Sequence, residues 1–364
     1  MWVGVFPELS KIGGIQQVSR HAAAVLAKRA RERNVPCELL GLNDARGRGS
    51  FKVGAEEFRF AGFGRNKFAL FLRLCRQMPR IEKLYLGHVN LAPFGLLLRM
   101  VRPRAQTYVV AHGIEVWEPL PAFRLWGLRR AQTVISVSAY TKAAMIKTQN
   151  LDPQKIFVLS PPLDPSFTQE PCDAVTLPLP SGGRMLLTVG RLISSEPGKG
   201  IDSVIKALPK VMLAIPEVFY VVVGEGDLQP RLEEMALENS VRDQVIFVGA
   251  TQLDQLKSYY SRADVFVMPS RQEGFGSVFV EAMAFGKPVI AGDHGGAPDI
   301  VQDGVTGFLV NPDDLEALTL RLIELLQNET LCVGMGAAGR QRVEANFTFT
   351  RFEDRLTKIL DGWS

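Results

Sequence analysis

Pro269-Ser270-Arg271-Gln272-Glu273-Gly274-Phe275-Gly276-Ser277-Val278-Phe279-Val280-Glu281-Ala282-Met283-Ala284-Phe285-Gly286-Lys287-Pro288-Val289-Ile290 is the stretch whose reading decides the fold. The apolar run 265–268 before it reads as a short buried strand, and 278–285 reads as a helix that Gly286 and Pro288 end. Strand, glycine-bearing loop and helix in that order make one βα unit of a parallel sheet. Gly274 and Gly276 let the backbone come close to a ligand, and Ser277 is placed to cap the helix. Unpaired amides at a helix start, together with the dipole, suit a phosphate. Glu281 falls about one turn inside the helix, within reach of a ligand over its N-terminus. Carboxylates are poor partners for phosphate but accept hydrogen bonds from sugar hydroxyls. Two glutamates around a phosphate cradle therefore suggest a ligand with sugars on both sides of a diphosphate. Taken singly, Glu281 also reads as a favourable first-turn acid and the glycines as turn residues.

The alternation continues outward from this segment. In the second half 185–189, 219–223, 245–248, 265–268, 288–290 and 307–310 read as strands, and 201–215, 229–239, 252–261, 278–285 and 315–326 as helices. Pro209 either bends the first of these helices or shortens it. The first half repeats the scheme, with strands at 2–6, 38–42, 83–87, 107–111, 133–137 and 156–159. Its helices are 15–31, 68–78, 94–101, 122–130 and 139–148. Short buried strands separated by longer helices predict parallel sheets of βαβ units. The seam is 160–183, with Pro161, Pro162, Pro165, Pro171, Pro178 and Pro180. We expect one domain over 1–165, a second over 166–346, and an amphipathic tail, 347–364, that crosses back to the first. Ligands should sit at the carboxyl ends of the strands, and two tandem sheets predict a cleft between domains that opens and shuts. There is no short-period repeat and no low-complexity tract.

Composition narrows the class. At 46% hydrophobic and 22% charged residues, the 364-residue chain is an ordinary globular protein with room for two cores. Cys37, Cys75, Cys172 and Cys332 form no C-x-x-C pair, which suggests reduced thiols and a cytoplasmic protein. The start, Met1-Trp2-Val3-Gly4-Val5-Phe6, lacks the basic and apolar regions of a signal peptide, and no run of about 18 apolar residues reads as a membrane span. The net charge of +4 is concentrated before residue 160, in clusters at 65–80 and 99–104. The segment 66–76 looks like a basic amphipathic helix, either a solvated face over a buried one or a contact with an anionic membrane. No nucleic-acid motif accompanies the charge, so nucleic acid is not expected as a partner.

The segment 269–290 resembles the Glu-x7-Glu signature of the retaining family 4 glycosyltransferases, which adopt the GT-B fold of two Rossmann-like domains with parallel sheets facing across a cleft. The likeness runs through 188–304 and extends more faintly over the whole chain. It implies that Glu273 contacts hydroxyls of the transferred sugar, Glu281 the ribose, and the amides of Phe275, Gly276, Ser277 and Val278 the diphosphate, with Gly274 also lining the donor site. Val189-Gly190-Arg191-Leu192 ends a strand and Gly198-Lys199-Gly200 opens the next helix. Arg191 and Lys199 could both reach a diphosphate and neutralise it as it departs. In the family an Arg/Lys pair does that task, although Ile193-Ser194-Ser195-Glu196-Pro197 makes this loop longer than in the commonest form. Val223-Gly224-Glu225-Gly226-Asp227 resembles the family's strand-end turn beside the donor, which places Glu225 there. Asp264-Val265-Phe266-Val267-Met268-Pro269-Ser270 is a further match.

The first half is less explicit. Lys11-Ile12-Gly13-Gly14-Ile15 resembles the family's N-terminal Gly-Gly loop, which implies that Gly13 and Gly14 approach the donor phosphates and the acceptor. His112 ends a strand, and in relatives a histidine here contacts the transferred sugar. Gly113-Ile114-Glu115 stands where a His-Asp pair is frequent, so the role of Glu115 is open. His88 in Gly87-His88-Val89-Asn90 is a weaker candidate of the same kind. Ser136-Val137-Ser138-Ala139-Tyr140-Thr141-Lys142 resembles a strand–helix turn of the family, and Ser160-Pro161-Pro162-Leu163-Asp164 replaces its frequent Asn-Gly-Val-Asp.

No Asp-x-Asp sits in a metal-binding context and no His/Cys cluster has ligand spacing, so a metal-independent enzyme is expected. The expected co-substrate is a nucleotide-diphosphate sugar, with no further cofactor, and the acceptor is a saccharide or a lipid-linked sugar. Resemblance implies retention at the anomeric carbon by front-side displacement, and no enzyme nucleophile for a double displacement stands out. The rivals are a sugar-nucleotide epimerase or phosphorylase on the same scaffold, and a catalytically silent sugar-nucleotide-binding subunit. An NAD-binding protein ranks last, because no G-x-G-x-x-G follows the first strand. Polysaccharide or glycolipid assembly is the expected setting.

Overall fold

Strand β1 (Trp2–Phe6) is buried at every position, as a strand with helices on both faces of its sheet must be. The computed structural model describes residues 1–11, 13–167, 182–194 and 198–362. Pro171, Cys172, Pro178 and Pro180 of the seam lie outside the described residues, as do Ile12, Ser195, Glu196 and Pro197. The chain divides into two compact units, Met1–Ser166 with Thr348–Ser364, and Phe167–Phe347.

After β1, the first unit runs through α1 (Gly14–Glu32), β2 (Cys37–Gly41), β3 (Gly47–Val53), β4 (Glu56–Gly62), α2 (Lys67–Gln77) and β5 (Lys83–Leu86). It continues with α3 (Ala92–Val101), β6 (Gln106–Ala111), α4 (Ala122–Arg130), β7 (Thr133–Ser136), α5 (Ala139–Gln149) and β8 (Ile156–Val158). The sheet order is β3-β4-β2-β1-β5-β6-β7-β8. Val3, Val5, Leu40, Leu84, Leu86 and Val109 form the sheet side of one core, and Leu70, Leu74, Leu98, Leu128 and Met145 close it from the helices.

One expectation fails here. From sequence no strand is expected between 42 and 66, yet β3 and β4 make an antiparallel hairpin, so the first sheet is mixed and not purely parallel. The hairpin buries alternate residues, Phe51 and Val53 against Phe58 and Phe60, with the Phe51 and Phe58 rings stacked at 5.6 Å. That is the two-residue period of a half-solvated edge, which a search for continuous apolar runs passes over.

The second unit holds β9 (Arg184–Val189), α6 (Ile201–Ala214), β10 (Val218–Val223), α7 (Gln229–Glu238), β11 (Val245–Gly249), α8 (Leu253–Arg262) and β12 (Val265–Met268). It then adds α9 (Ser277–Ala284), β13 (Val289–Gly292), α10 (Ala297–Ile300), β14 (Gly307–Val310), α11 (Leu315–Gln327) and α12 (Glu329–Asn346). All neighbouring strands in the order β11-β10-β9-β12-β13-β14 are parallel. The chain winds outward from β9 to β11, returns, and winds the other way from β12. The switch therefore falls between β9 and β12, where open α/β sheets bind ligands beyond the strand ends. Helix α6 passes Pro209 and continues to Ala214.

Helix α12 is, with the short α10, a further unforeseen element. It presents small residues where an apolar stripe would be looked for: a Cβ on Gly336 would lie 1.9 Å from the Gly286 carbonyl oxygen. Close backbone approach, which leaves no amphipathic signature, seats it beside the end of α9.

The last helix, α13 (Phe349–Leu360), belongs to the first unit and buries Phe352, Leu356, Ile359 and Leu360 there. The Tyr108 hydroxyl donates to the Leu360 carbonyl at 3.0 Å, and Lys28 of α1 pairs with Glu353 at 3.2 Å. His21 of α1 is buried, with Nε2 2.9 Å from an Asp164 oxygen and its ring 5.5 Å from that of Phe349. The hydrogen bonds from His21 and Ser166 hold the Asp164 carboxyl well below its ordinary value, against the burial that raises it.

Candidate active site

In the second unit the loop after β9 carries Arg191 and Lys199, and the loop after β12 carries Glu273. The Lys199 ammonium donates to a Glu273 oxygen at 2.7 Å, both side chains being largely sheltered, so the pair spans the switch. Arg191 stands exposed at the start of its loop. The loop after β10 holds that start in place: Leu192 N–H donates to the Glu225 carbonyl at 2.9 Å and Ser194 N–H to Asp227 at 2.8 Å. Gly224 has φ +138°, and a Cβ there would lie 1.9 Å from the Gly190 carbonyl oxygen, which accounts for the glycine. Glu225 contributes its backbone to this clip while its side chain is exposed.

Gly276, with φ +98°, is the N-cap of α9, and Ser277 is the first helical residue. The expected cap by the Ser277 side chain is thus corrected: a left-handed glycine turns the chain into the helix, and no side chain caps it. The amides of Ser277 and Val278 precede the first bonds of the helix and lie on the side from which the Glu273-Gly274-Phe275 backbone arrives. That backbone is seated on the loop after β13. Gly296 N–H donates to the Glu273 carbonyl at 2.7 Å, and Cβ atoms on Gly295 or Gly296 would come within 2.3 and 2.5 Å of the Glu273 and Gly274 oxygens. Phe275 is buried, its ring 6.0 Å from that of Phe347.

Glu281 is buried, and one of its oxygens accepts from the Tyr260 hydroxyl at 2.7 Å. Burial and the adjacent carboxylate push the Tyr260 hydroxyl well above its ordinary pKa, so it stays a donor. Tyr260 comes from α8, where its ring stacks on Phe285 at 5.7 Å. Neither Tyr260 nor the Gly295-Gly296 turn was singled out from sequence. One of two adjacent tyrosines in an amphipathic helix carries no mark of its partner, whereas the glycine pair offered a readable turn signal.

In the first unit Gly13 caps α1 with extended backbone, and Gly14 is its first residue. A Cβ on Gly14 would meet no atom within 4 Å. Asp44, also missed, fixes the loop before them by accepting from Leu9 N at 2.9 Å and Ser10 N at 2.7 Å. At the end of β6, His112 is buried, its Nε2 2.8 Å from the Gly87 carbonyl, and its N–H donates to Glu115 at 2.6 Å. Glu115 thus orders the turn. His88 stacks on His112 with ring centres 5.6 Å apart. Burial, reinforced by His112, lowers the His88 pKa to about 4, and burial lowers that of His112 against the pull of Glu115.

Among the described residues no three His, Cys, Asp or Glu side chains gather as a metal site, and no helix is long and apolar enough to cross a membrane.

Solved structures place the architecture. Over 99% of this chain and 98% of its own, sucrose-phosphate synthase from Thermosynechococcus elongatus superposes with a TM-score of 0.78 at 23% identity. Anabaena HepE in complex with UDP does so with 0.75 at 18%, over 99% and 100%. The architecture is GT-B, the fold of sugar-nucleotide glycosyltransferases. Residues 173–342 match the glycosyl transferases group 1 pattern and 12–167 the Glycosyltransferase Family 4 pattern. The GDP-mannose-dependent alpha-(1-6)-phosphatidylinositol monomannoside mannosyltransferase of Mycolicibacterium smegmatis is 33% identical over 301 residues, 78% of this chain and 77% of its own. A Corynebacterium glutamicum mannosyltransferase acting on the monoacylated form is 34% identical over 74% of each chain. The chain belongs to this family of glycosyltransferases.

Proposed function

We propose that this glycosyltransferase moves a hexosyl group, with retention and without a metal, from a nucleotide-diphosphate sugar held by the second unit to a lipid-linked acceptor. The observation that carries the reading is the Lys199–Glu273 pair at the strand switch, beside the N-terminus of α9. A cation and helix amides suit the diphosphate, and a carboxylate suits sugar hydroxyls. Arg191 and Lys199 take up charge on the departing nucleoside diphosphate, as a metal does elsewhere. Glu281, oriented by Tyr260, receives the ribose. Gly13 and Gly14 admit phosphate or acceptor beside α1, and His112 meets the transferred sugar. As the anomeric carbon–phosphate oxygen bond breaks with its electron pair on the diphosphate, the acceptor oxygen bonds to the same face of that carbon. Its proton passes to the departing phosphate oxygen.

GDP-mannose is the first donor to try and a phosphatidylinositol mannoside the first acceptor, on the likeness to the mycobacterial enzymes. Glycolipid assembly at the inner face of a membrane is the setting. Phe68 on α2, Met100 on α3 and Trp126 on α4 stand exposed among arginines, which suits peripheral contact with anionic lipid.

The deciding experiment measures binding and slow hydrolysis of GDP-mannose, UDP-glucose and ADP-glucose, with Glu281→Ala and Arg191→Ala as controls. One donor should bind, both variants should lose it, and free sugar should be released with EDTA present. Binding of none overturns the donor site. Inverted product stereochemistry, or activity lost to EDTA and restored by a divalent cation, overturns the mechanism.

A further inference from the structure

Lys199 has a glycine on either side, Gly198 with φ +116° and Gly200 with φ +77°. Glycine adopts both angles freely, so the chain about the lysine has little stiffness of its own. Packing confines it on one side, where a Cβ on Gly200 would lie 2.3 Å from the Pro269 carbonyl oxygen. Further restraint comes from a single residue of the loop after β12. Arg271 N–H donates to the Gly198 carbonyl at 2.7 Å, and its guanidinium lies 3.6 Å from an oxygen of Asp202, in the first turn of α6. One residue thus grips the chain on both flanks of Lys199. It also stands two residues before Glu273, the partner of that lysine.

The Arg271 guanidinium is already engaged. Its Nε donates to Asp313 at 2.9 Å, in the loop after β14, while Nη1 pairs with Asp202. A diphosphate would have to displace two carboxylates to reach Arg271 and only one to reach Lys199. Ion pairs open to water add little to stability, and here the Arg271 side chain is 37% exposed and that of Asp313 75%. What the cluster contributes is therefore placement: it joins the loops after β9, β12 and β14, all within the second unit.

We infer that Arg271 is a positioning residue: by holding Gly198 and Asp202 it fixes the Lys199 ammonium where the departing diphosphate arrives, and it does not bind that diphosphate itself. The inference rests on the nucleotide-sugar reading above and adds to it the residue through which the flexible lysine loop is held in register with Glu273. Removing the guanidinium frees one flank of Lys199, so that part of the binding energy is spent on ordering the loop.

The test uses the full chain with GDP, UDP and ADP as probes, and calorimetry with whichever of them the wild type binds. Arg271→Gln keeps the stem and removes the charge, Arg271→Lys keeps a charge, and both retain the main-chain N–H that Gly198 accepts. Arg271→Gln should weaken nucleoside diphosphate binding by about three- to tenfold, with a melting temperature close to that of the wild type. Arg271→Lys should recover part of the loss. In a Lys199→Ala background Arg271→Gln should cost nothing further, because the arginine acts through the lysine. Unchanged affinity in Arg271→Gln, or no recovery in Arg271→Lys, overturns the assignment. The same fold-loss in both backgrounds also overturns it, and would put Arg271 itself on the ligand. So does a loss of affinity that comes with a large fall in melting temperature, since the cluster would then serve the fold. If the wild type binds none of the three nucleotides, the donor reading itself fails and this inference falls with it.

Discussion

Lys199 and Glu273 are 74 residues apart in sequence and meet at 2.7 Å, one from the loop on each side of the strand switch. Each is the other's partner before any ligand is considered. On the function proposed above, a diphosphate arriving at Lys199 would compete for a cation that a carboxylate already holds, and would release that carboxylate toward the sugar.

This competition separates two variants. Lys199→Ala should weaken nucleoside diphosphate binding by about ten- to a hundredfold, the range of a charge-assisted hydrogen bond. Glu273→Gln should bind the nucleoside diphosphate as tightly as the wild type or more so, and should lose transfer. Calorimetry with the nucleotide alone decides. Weaker nucleotide binding in Glu273→Gln would mean that the pair acts as a structural brace.

Tyr260→Phe removes the donor to a buried carboxylate without removing the ring that stacks on Phe285. We expect a loss of about 1–3 kcal/mol in unfolding free energy together with weaker nucleoside binding. Denaturant titration and a nucleotide affinity measured on the same variant check this. Unchanged stability would remove Tyr260 from any part in positioning Glu281.

Gly276→Ala places a Cβ at φ +98°, 2.4 Å from the Phe279 ring. Stability should fall by roughly 1 kcal/mol or more, and nucleotide affinity should fall with it because the start of α9 must move. Gly14→Ala is the contrasting variant: its Cβ meets no atom within 4 Å, so unfolding should be unaffected while transfer declines. Thermal melts and turnover of the two variants side by side give the comparison.

Acid provides another test. The folded-state pKa of His88 is about 4, below the ordinary 6.5 that the unfolded chain would show. Between these values the unfolded state binds a proton that the folded state does not. Stability from this residue is therefore complete above about pH 6.5 and is lost as the pH falls toward 4. His112 adds to the same trend. In His88→Phe the melting temperature should fall less steeply over that interval. An unchanged slope would show that other groups govern it.

Much of the fold was legible because its strands are continuous apolar runs. β1, β12 and β14 begin and end at the residues read from sequence, and α4 does too. The β3–β4 hairpin escaped because Phe51, Val53, Phe58 and Phe60 alternate with solvated residues, and α12 because glycine contacts hold it. At the site, motifs were visible singly and their pairings were not. No local pattern announces that Lys199 meets Glu273, that Tyr260 meets Glu281, or that Asp44 holds the loop before Gly13. These are consequences of which strands become neighbours, and the strand order is a property of the whole sheet.

His21 touches both Asp164, two residues before the first unit ends, and Phe349, one residue after it resumes. One imidazole thus marks both ends of a gap in the sequence, and the two ends lie close together. The second unit is, in topology, a passenger inserted into a host. Joining Ser166 to Thr348 through a few glycines should leave a continuous polypeptide with the first sheet and its closing helix intact. The segment 167–347, with both its ends at that one junction, should in turn be separable as a unit. A chain arranged this way can exchange its second unit as one cassette, with a single insertion point to preserve.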